Sequence, residues 1–202
     1  MGAIKFTKHE LKAQRDALAR FTRFLPTLIL KKQQLQAEIR RLSLLLVEKR
    51  KALAAVEEGA ARWLALFAEP FDMAPYMRVD SLRVRQANVA GVAVEVLDEV
   101  TFTQALPPLA ASPLWVDQGI RTARELAVLQ LELHFLHLQR QAVAEELRIT
   151  SQRVNLFEKV KIPEAKEHIR RIKIALGDLE TAAVARAKMA KGRQKERRRS
   201  TS

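Results

Sequence analysis

Apolar residues in the first third of the chain recur at alternating steps of four and three positions. Between residues 11 and 67 this seam meets a polar side chain only at Gln14, Lys32 and Lys49. A 3.5-residue repeat sustained over such a length is typical of a supercoiled helix. At 1.5 Å per residue, about 60 residues make a helix of roughly 90 Å, longer than a globular core requires. We therefore predict one coiled-coil helix over residues 1–68. Its seam comprises Leu11, Gln14, Leu18, Phe21, Leu25, Leu28, Lys32, Leu35, Ile39, Leu42, Leu46, Lys49, Leu53, Val56, Ala60, Trp63 and Phe67.

Pro26 is the local exception in this helix. A proline inside a helix removes a backbone hydrogen bond and costs about 3 kcal/mol. Because the apolar seam continues in phase on both sides, we expect a kink or a short break at Pro26, and not the end of the helix.

The segment 69–117 has a different pattern and holds five of the seven prolines. Apolar residues here alternate with polar or small ones, the two-residue period of β-strands. The alternating positions are Leu82 and Val84, then Val92, Val94 and Val96, then Val100 and Phe102. Turn signals lie at Asn88–Gly91 and at Asp98–Glu99. We predict a knob that contains a small β-hairpin or meander with irregular flanks.

The segment 118–190 returns to the helical repeat, in two seams whose phases differ by one residue. The first comprises Leu126, Leu129, Leu133, Leu136, Arg140, Val143, Leu147, Thr150, Val154 and Phe157; the second comprises Ala165, Ile169, Ile172, Leu176, Leu179 and Ala183. The change of phase falls near Pro163, where a local unwinding or kink would realign the stripe. We predict a second coiled-coil helix here.

Two helices of similar length cannot each bury an apolar seam alone. The simplest solution folds the segment 118–190 back onto the segment 1–68. The predicted fold is therefore mainly α, a long antiparallel two-helix coiled coil with the β-hairpin insert at the turn. Residues 191–202 are dense in Lys and Arg, and we predict that this basic tail is disordered.

Composition narrows the possible functions. The chain carries 36 Lys and Arg against 23 Asp and Glu, a net charge of +13, so its surface attracts polyanions of any kind. There is no cysteine, which excludes disulfides and thiolate metal sites. We find neither a signal-peptide pattern at the start nor an apolar run of membrane-spanning length, and we expect a cytoplasmic protein without direct membrane insertion.

The residues that catalysis would need do not form a recognisable motif. The six glycines are scattered, and none forms a phosphate-binding loop with a Lys-Ser or Lys-Thr pair. His134 and His137 lie near Glu132 in the sequence. Two imidazoles at this spacing can bind one metal ion if a facing helix supplies further ligands. We favour two histidines on an amphipathic helix, because no second carboxylate-histidine motif completes a site. The expectation is a chain without catalytic, metal or cofactor sites.

Two further features have more than one interpretation. Trp63 and Trp115 lie at the inner ends of the two predicted helices, where a hydrophobic plug is favoured over a ligand platform. The basic tail has three possible interpretations: a solvated end, a nucleic-acid contact, or a positive end that faces an acidic or ring-shaped partner. Sequence-tolerant nucleic-acid binding needs aromatic residues among the charges, and Tyr76 is the single tyrosine of the chain. We favour the solvated or partner-facing end.

A specific resemblance is carried by residues 150–163, which have the sequence TSQRVNLFEKVKIP. This stretch resembles the signature of the D subunit of V-type and A-type ATPases. The matching residues are Arg153, Val154 and Asn155, then Glu158, Ile162 and Pro163. Two weaker matches follow the same order along the chain: Leu30-Lys31-Lys32 in the first helix, and Asn88 to Val92, with Gly91, in the β insert.

The resemblance implies a non-catalytic axle. In that family, the paired terminal helices enter the catalytic hexamer of A and B subunits, a ring in which catalytic and non-catalytic subunits alternate. The knob binds the small F subunit and sits on an adaptor of C or d type above the membrane ring. This implies a central rotor shaft that couples ATP hydrolysis or synthesis to ion translocation, cytoplasmic and peripheral to the membrane. The sequence departs from the pattern after Glu180, where Thr181-Ala182-Ala183-Val184-Ala185 replaces a more charged continuation. We hypothesise that Arg153 to Pro163 set the local curvature.

Two other classes fit parts of the pattern. The stalk proteins of flagellar and type III secretion ATPases are helical hairpins too, but the β insert and the residues 153–163 argue against them. A nucleic-acid-binding coiled coil fits the net charge, and its affinity would fall steeply with salt.

Overall fold

A computed structural model of the chain describes residues 5–64, 71–105, 107–108 and 112–200. The elements, in chain order, are α1 at Lys8–Leu64, a short 3-10 helix at Ala74–Tyr76, β1 at Val79–Val89, β2 at Val92–Phe102, α2 at Val116–Leu156, a π-helical turn at Phe157–Lys161 and α3 at Ile162–Ser200. The predicted fold class is confirmed: two long helical segments, with a two-stranded antiparallel hairpin between them in the chain.

The chain divides into two compact units. The first unit contains residues 1–30 and 151–202, and the second unit contains residues 31–150. Each unit holds a stretch of α1 and a stretch of the later helices. The four segments predicted from the pattern of residues along the chain, 1–68, 69–117, 118–190 and 191–202, remain a prediction about organisation.

Helix α1 begins with a cap and runs for 57 residues as one helix. The Thr7 hydroxyl accepts a hydrogen bond from the Glu10 backbone N–H at 3.2 Å, which satisfies a donor that a helix start leaves free. Helix α1 continues through Pro26, so the short break allowed for in the sequence is absent. The seam residues Leu25 and Leu28, on either side of Pro26, are both half-buried, so the seam continues in phase past the proline.

In the second unit, α1 packs antiparallel against α2. Leu35, Leu42 and Val143 are fully buried or nearly so and form one cluster with Val94 of the hairpin. Two ion pairs report the antiparallel direction, because residues further along α1 meet residues earlier in α2. These pairs join Lys31 with Glu146 and Lys49 with Glu132.

The α1 seam predicted from the sequence is confirmed, since every member that the structure describes is buried or half-buried. Polar members of the seams have specific partners. The Lys49 ammonium lies 2.6 Å from the Glu132 carboxylate. Arg140, placed in the α2 seam, is instead exposed and its Nε donates to the Ser43 hydroxyl at 3.2 Å. A long arginine reaches past the helix contact with its apolar stem and keeps its charge in water.

The hairpin closes at a two-residue turn formed by Ala90 and Gly91. Both residues have positive φ, 51° and 83°, which suits the right-handed twist of the two strands. The Asn88 side-chain oxygen accepts a hydrogen bond from the Gly91 N–H at 2.8 Å and fixes this turn. The predicted turn signal at Asn88–Gly91 is therefore confirmed.

The second predicted turn, at Asp98–Glu99, is wrong. Both residues lie inside β2, where Val84 pairs with Leu97 and Arg83 pairs with Glu99. Asp98 is thus the extra residue of a β-bulge, which lets polar residues occur in a strand without ending it.

The strain at Ala90 yields a prediction. A left-handed conformation costs a residue with a side chain about 1 kcal/mol, and glycine adopts it freely. We expect Ala90→Gly to stabilise the hairpin by about 0.5–1 kcal/mol, seen as slower amide hydrogen exchange in both strands. Ala93→Gly, at an exposed strand position, is the matched control and should weaken the hairpin. Faster exchange in the Ala90 variant would contradict the argument.

In the first unit, α1 packs antiparallel against the end of α2 and against α3. Phe21 and Phe157 make a ring contact with centroids 5.0 Å apart, and Lys8 lies 3.8 Å from Glu180. Val154, Ala165 and Ile172 are the buried residues of this contact on the later helices.

Helix α3 extends beyond the residue that faces the start of α1. Because α1 begins at Lys8, which pairs with Glu180, later residues of α3 have no helix opposite them within residues 5–64. Residues 177–194 are all exposed, so Leu179 and Ala183, which the sequence placed in the seam, do not pack in it. Helix α3 nevertheless runs to Ser200, into the tail predicted to be disordered. Ala, Lys, Arg, Gln and Glu dominate this stretch, and all are good helix formers.

Candidate functional site

The residues of the motif 150–163 lie on the end of α2, the π-helical turn and the start of α3, nearly all of them within the first unit. Val154 is buried and Ile162 is half-buried, while Arg153, Asn155 and Glu158 are exposed. Because Arg153 and Asn155 are exposed, they do not lie between the helices, where they could satisfy buried polar groups. The polar members of the motif are therefore free to contact another molecule.

The π-helical turn explains the change of phase in the apolar seam. The Ile162 N–H donates to the Phe157 carbonyl, five residues back, where an α-helix would use the fourth. Such a turn accommodates one extra residue. The seam leaves Phe157 and resumes at Ala165, one position later than an uninterrupted repeat, so the predicted local unwinding near Pro163 is confirmed.

Pro163 follows this turn directly. Proline has no N–H to donate, and its ring clashes with the carbonyl four residues earlier in a regular α-helix. A wider turn ahead of Pro163 relieves this conflict while the helix continues. The π-helical turn and Pro163 are therefore adjacent because the wider turn makes room for the proline ring.

An open cavity of about 240 Å³ lies beside the π-helical turn. Small residues of the two helices, Ala17 and Ala165, line it together with Phe21. Gln14 and His168 add polar atoms, and the Lys161 ammonium at the rim lies 3.2 Å from Glu164. The cavity shows that side chains fill the space between the helices incompletely here.

The charged groups around the motif form local ion pairs. Arg170 and Arg171 each donate to Glu167 at 2.8 Å, and these hydrogen bonds, that of Arg170 first, lower the pKa of Glu167 to about 2. The Arg148 guanidinium likewise lowers the pKa of Glu145. A general base needs a carboxyl pKa raised toward neutrality. Both carboxyl pKa shifts resolved in the described residues are downward. The ion pairs that cause them join residues three or four positions apart, and such pairs stabilise helices.

The second candidate site is the hairpin turn. Asn88 and Gly91 are exposed, and Val92 is half-buried against the cluster of Leu35 and Val143. Asn88 and Gly91 form the turn, while Val92 helps to fasten the hairpin to α1 and α2. All three thus have structural roles, and their contact with a partner stays a prediction.

The two histidines that were considered as metal ligands have other neighbours. His134 is exposed with its ring edge against Phe135 at 5.8 Å, and His137 Nε2 lies 2.9 Å from an Arg50 guanidinium nitrogen. A guanidinium is always a donor, so His137 accepts through Nε2. In the part of the chain that the structure describes, no three His, Asp or Glu side chains cluster as metal ligands would.

The predicted hydrophobic plug is present. Trp63 and Trp115 have ring centroids 6.4 Å apart, and Phe71 meets Trp115 edge-on at the same distance. Val116 and Ile120 complete the buried cluster. Phe67, the last member of the predicted α1 seam, lies outside the described residues.

No helix in the described ranges has the length and apolar character to cross a bilayer.

Two residues that fasten the hairpin were not found by sequence reasoning. Arg124 donates to the backbone carbonyls of Tyr76 and Thr103, each at 2.7 Å, and its guanidinium lies over the Phe102 ring at 5.5 Å. Gln139 is buried and donates to the Glu95 carbonyl at 2.9 Å. Both residues contact segments that are distant in sequence, and a local sequence pattern does not indicate such contacts.

Comparison with known proteins finds related sequences that cover nearly the whole chain. The family model for the ATP synthase D subunit matches residues 10–192. The V-type ATP synthase D subunit of Borreliella burgdorferi is 42% identical over 191 residues, which cover 95% of this chain and 95% of that protein. The V-type ATP synthase D subunits of Chlamydia muridarum and Chlamydia pneumoniae are 35% and 33% identical; each alignment covers 93% of this chain, and 94% and 91% of those proteins. The chain therefore belongs to the D-subunit family of ATP synthases.

Proposed function

We propose that this chain is the central rotor shaft of a V/A-type rotary ATPase. In this role it couples ATP hydrolysis or synthesis in the catalytic hexamer to ion translocation across the membrane. The observation that carries the proposal is the antiparallel pairing of long helices in both units, combined with membership of the D-subunit family. A part that transmits torque needs a long helical pair and no reactive groups of its own.

The proposed partners are the hexamer of A and B subunits, the small F subunit and an adaptor of C or d type. The fully exposed stretch of α3, residues 181–194, is available on all sides to a ring-shaped partner. After Ala185 the chain has eight Lys and Arg residues and one acidic residue, Glu196, so acidic surfaces would attract this end. The hairpin turn at Asn88 and Gly91 is the proposed contact for the other rotor subunits. The complex would place the chain at the cytoplasmic side of the membrane, peripheral to it.

The same proposal makes the chain a non-catalytic subunit without a cofactor. The chemistry of ATP would belong to the other subunits.

Affinity capture of the tagged full-length chain from its own cells tests the proposal. We expect the A, B and F subunits to be recovered in moderate salt, with one copy of this chain per complex. Recovery of secretion-apparatus components would instead support the flagellar or type III stalk. Recovery of nuclease-sensitive ribonucleoprotein alone, with a steep loss in salt, would support nucleic-acid binding.

A truncated variant makes the test specific for one surface. A chain ending at Glu180 loses only residues 181–202, and those with described side chains are exposed, so the remainder should fold normally. We expect this variant to retain the F subunit and to bind the hexamer more weakly. Full retention of the hexamer would show that the end of α3 is not its contact.

A further inference from the structure

Both helices of the first unit have an interrupted hydrogen-bond ladder close to the same aromatic contact. Phe21 and Phe157 meet with ring centroids 5.0 Å apart. Pro26 follows Phe21 by five positions, and Pro163 follows Phe157 by six. At 1.5 Å per residue each proline lies within about 9 Å of the aromatic pair along the helix axis. Because the helices are antiparallel, the two prolines flank the pair from opposite sides.

Each proline weakens its helix in a different way. Pro26 lies within an otherwise regular helix, so the Thr22 carbonyl loses the donor that position 26 would supply. Pro163 is preceded by the π-helical turn at Phe157–Lys161, whose hydrogen bonds span five residues. Such turns are rare and occur singly inside α-helices. The backbone of both helices is therefore locally less constrained than in a regular α-helix.

Side-chain packing is also sparse at this level. The cavity of about 240 Å³ lies beside the turn, and the small Ala17 and Ala165 face it. Glu158, Lys159 and Val160, three of the five residues in the turn, are exposed. Phe21, Leu25 and Phe157 are only half-buried here, whereas Ala165 beside them is 3% exposed. Close-packed side chains resist relative motion, and groups next to a void lose part of that contact.

We propose that residues 17–26 and 157–165, the compliant segment, form a torsionally soft section of this helical pair. Twist applied along two paired helices concentrates where hydrogen bonding and packing resist it least. In this segment both kinds of resistance are reduced in both helices. The proposal deepens the rotor function and rests on it, because torque from the catalytic subunits is what the segment would absorb and return.

The first test uses the full-length chain alone and does not depend on the rotor function. Replacing both prolines, Pro26→Ala with Pro163→Ala, should slow amide hydrogen exchange in residues 157–165 about tenfold or more. An interior proline destabilises a helix by more free energy than a tenfold change in exchange rate corresponds to. Pro75→Ala, in the short 3-10 helix of the second unit, is the matched control and should leave this exchange unchanged. Unchanged exchange in the double variant would overturn the claim that the segment is soft. If the double variant fails to fold, Pro26→Ala alone is measured, with slower exchange in residues 17–26 as the expected result and unchanged exchange as the contrary one.

The second test uses the assembled complex. With the hexamer immobilised and stalled, a probe on the rotor fluctuates in angle with a variance inversely proportional to torsional stiffness. We expect the double variant to reduce this variance by roughly half, because it restores one backbone N–H donor in each helix and removes the proline rings. A complex that assembles and shows equal variance for the wild type and the double variant would overturn the proposal. Failure of the wild-type chain to join the hexamer would instead refute the rotor function, and the exchange experiment would still decide whether the segment is soft.

Discussion

Deleting Val160 in a Pro163→Ala background is expected to leave the chain folded, although a deletion inside a long helix normally disrupts it. One residue lost from an α-helix rotates everything after it by about 100°. Here the π-helical turn at Phe157–Lys161 already holds one residue more than the seam needs. The deletion should convert this turn into regular α-helix and keep Ala165, Ile169 and Ile172 facing α1. The Pro163→Ala change is needed because a proline clashes inside a regular helix.

Inserting one alanine after Val160 in the same background is the matched control. The insertion adds a second extra residue, which a single π-helical turn cannot absorb. It should turn Ile169, Ile172 and Leu176 away from α1, and each large apolar side chain moved into water costs roughly 1.5–3 kcal/mol. Urea unfolding followed by circular dichroism measures both variants. Equal losses from deletion and insertion would show that the turn is not a removable insertion.

Leu42→Ala is expected to destabilise the second unit by about 2–5 kcal/mol, the usual range for emptying a buried leucine site. Leu42 is 1% exposed and contributes to the cluster with Leu35, Val94 and Val143. Removing its side chain would leave a void between α1, α2 and the hairpin at once. Urea unfolding of the full-length chain gives the change in the free energy of unfolding.

Leu44→Ala provides a control only two positions away. Leu44 is 71% exposed on the same helix, so its truncation should change stability by no more than about 0.5 kcal/mol. Similar losses for the two variants would contradict the packing described for the second unit. A loss of partner capture by Leu44→Ala without a loss of stability would assign that surface to an interface.

The helices and their seams could be predicted from the sequence because periodicity directly reports which face is buried. Leu35, Leu42 and Ile172 lie on the predicted seams, and each is fully buried or nearly so. The one-residue shift of phase near Pro163 could likewise be predicted, because the seams before and after it both follow the 3.5-residue repeat. The Asn88–Gly91 turn was accessible because few residues adopt positive φ easily.

Other features depend on information that a local pattern lacks. Asp98 and Glu99 resemble a turn by residue type, but pairing with β1 decides that they belong to a strand with a bulge. The exposure of Leu179 follows from where α1 begins, a fact about a segment some 170 residues earlier. For the motif residues, the sequence predicted their importance and the structure gives their exposure. Their role in contact with other subunits stays a prediction.

The attachment of the hairpin has a consequence for how this protein can change over evolution. Arg124 and Gln139, both on α2, hold the hairpin and its flanks through the main-chain carbonyls of Tyr76, Glu95 and Thr103. Main-chain carbonyls are the same whichever amino acid provides them. Substitutions at those three positions therefore leave these hydrogen bonds available, whereas Arg124 and Gln139 are much harder to replace. Sequence changes on the outer surface of the insert can therefore occur without loss of the hydrogen bonds that place it on α2.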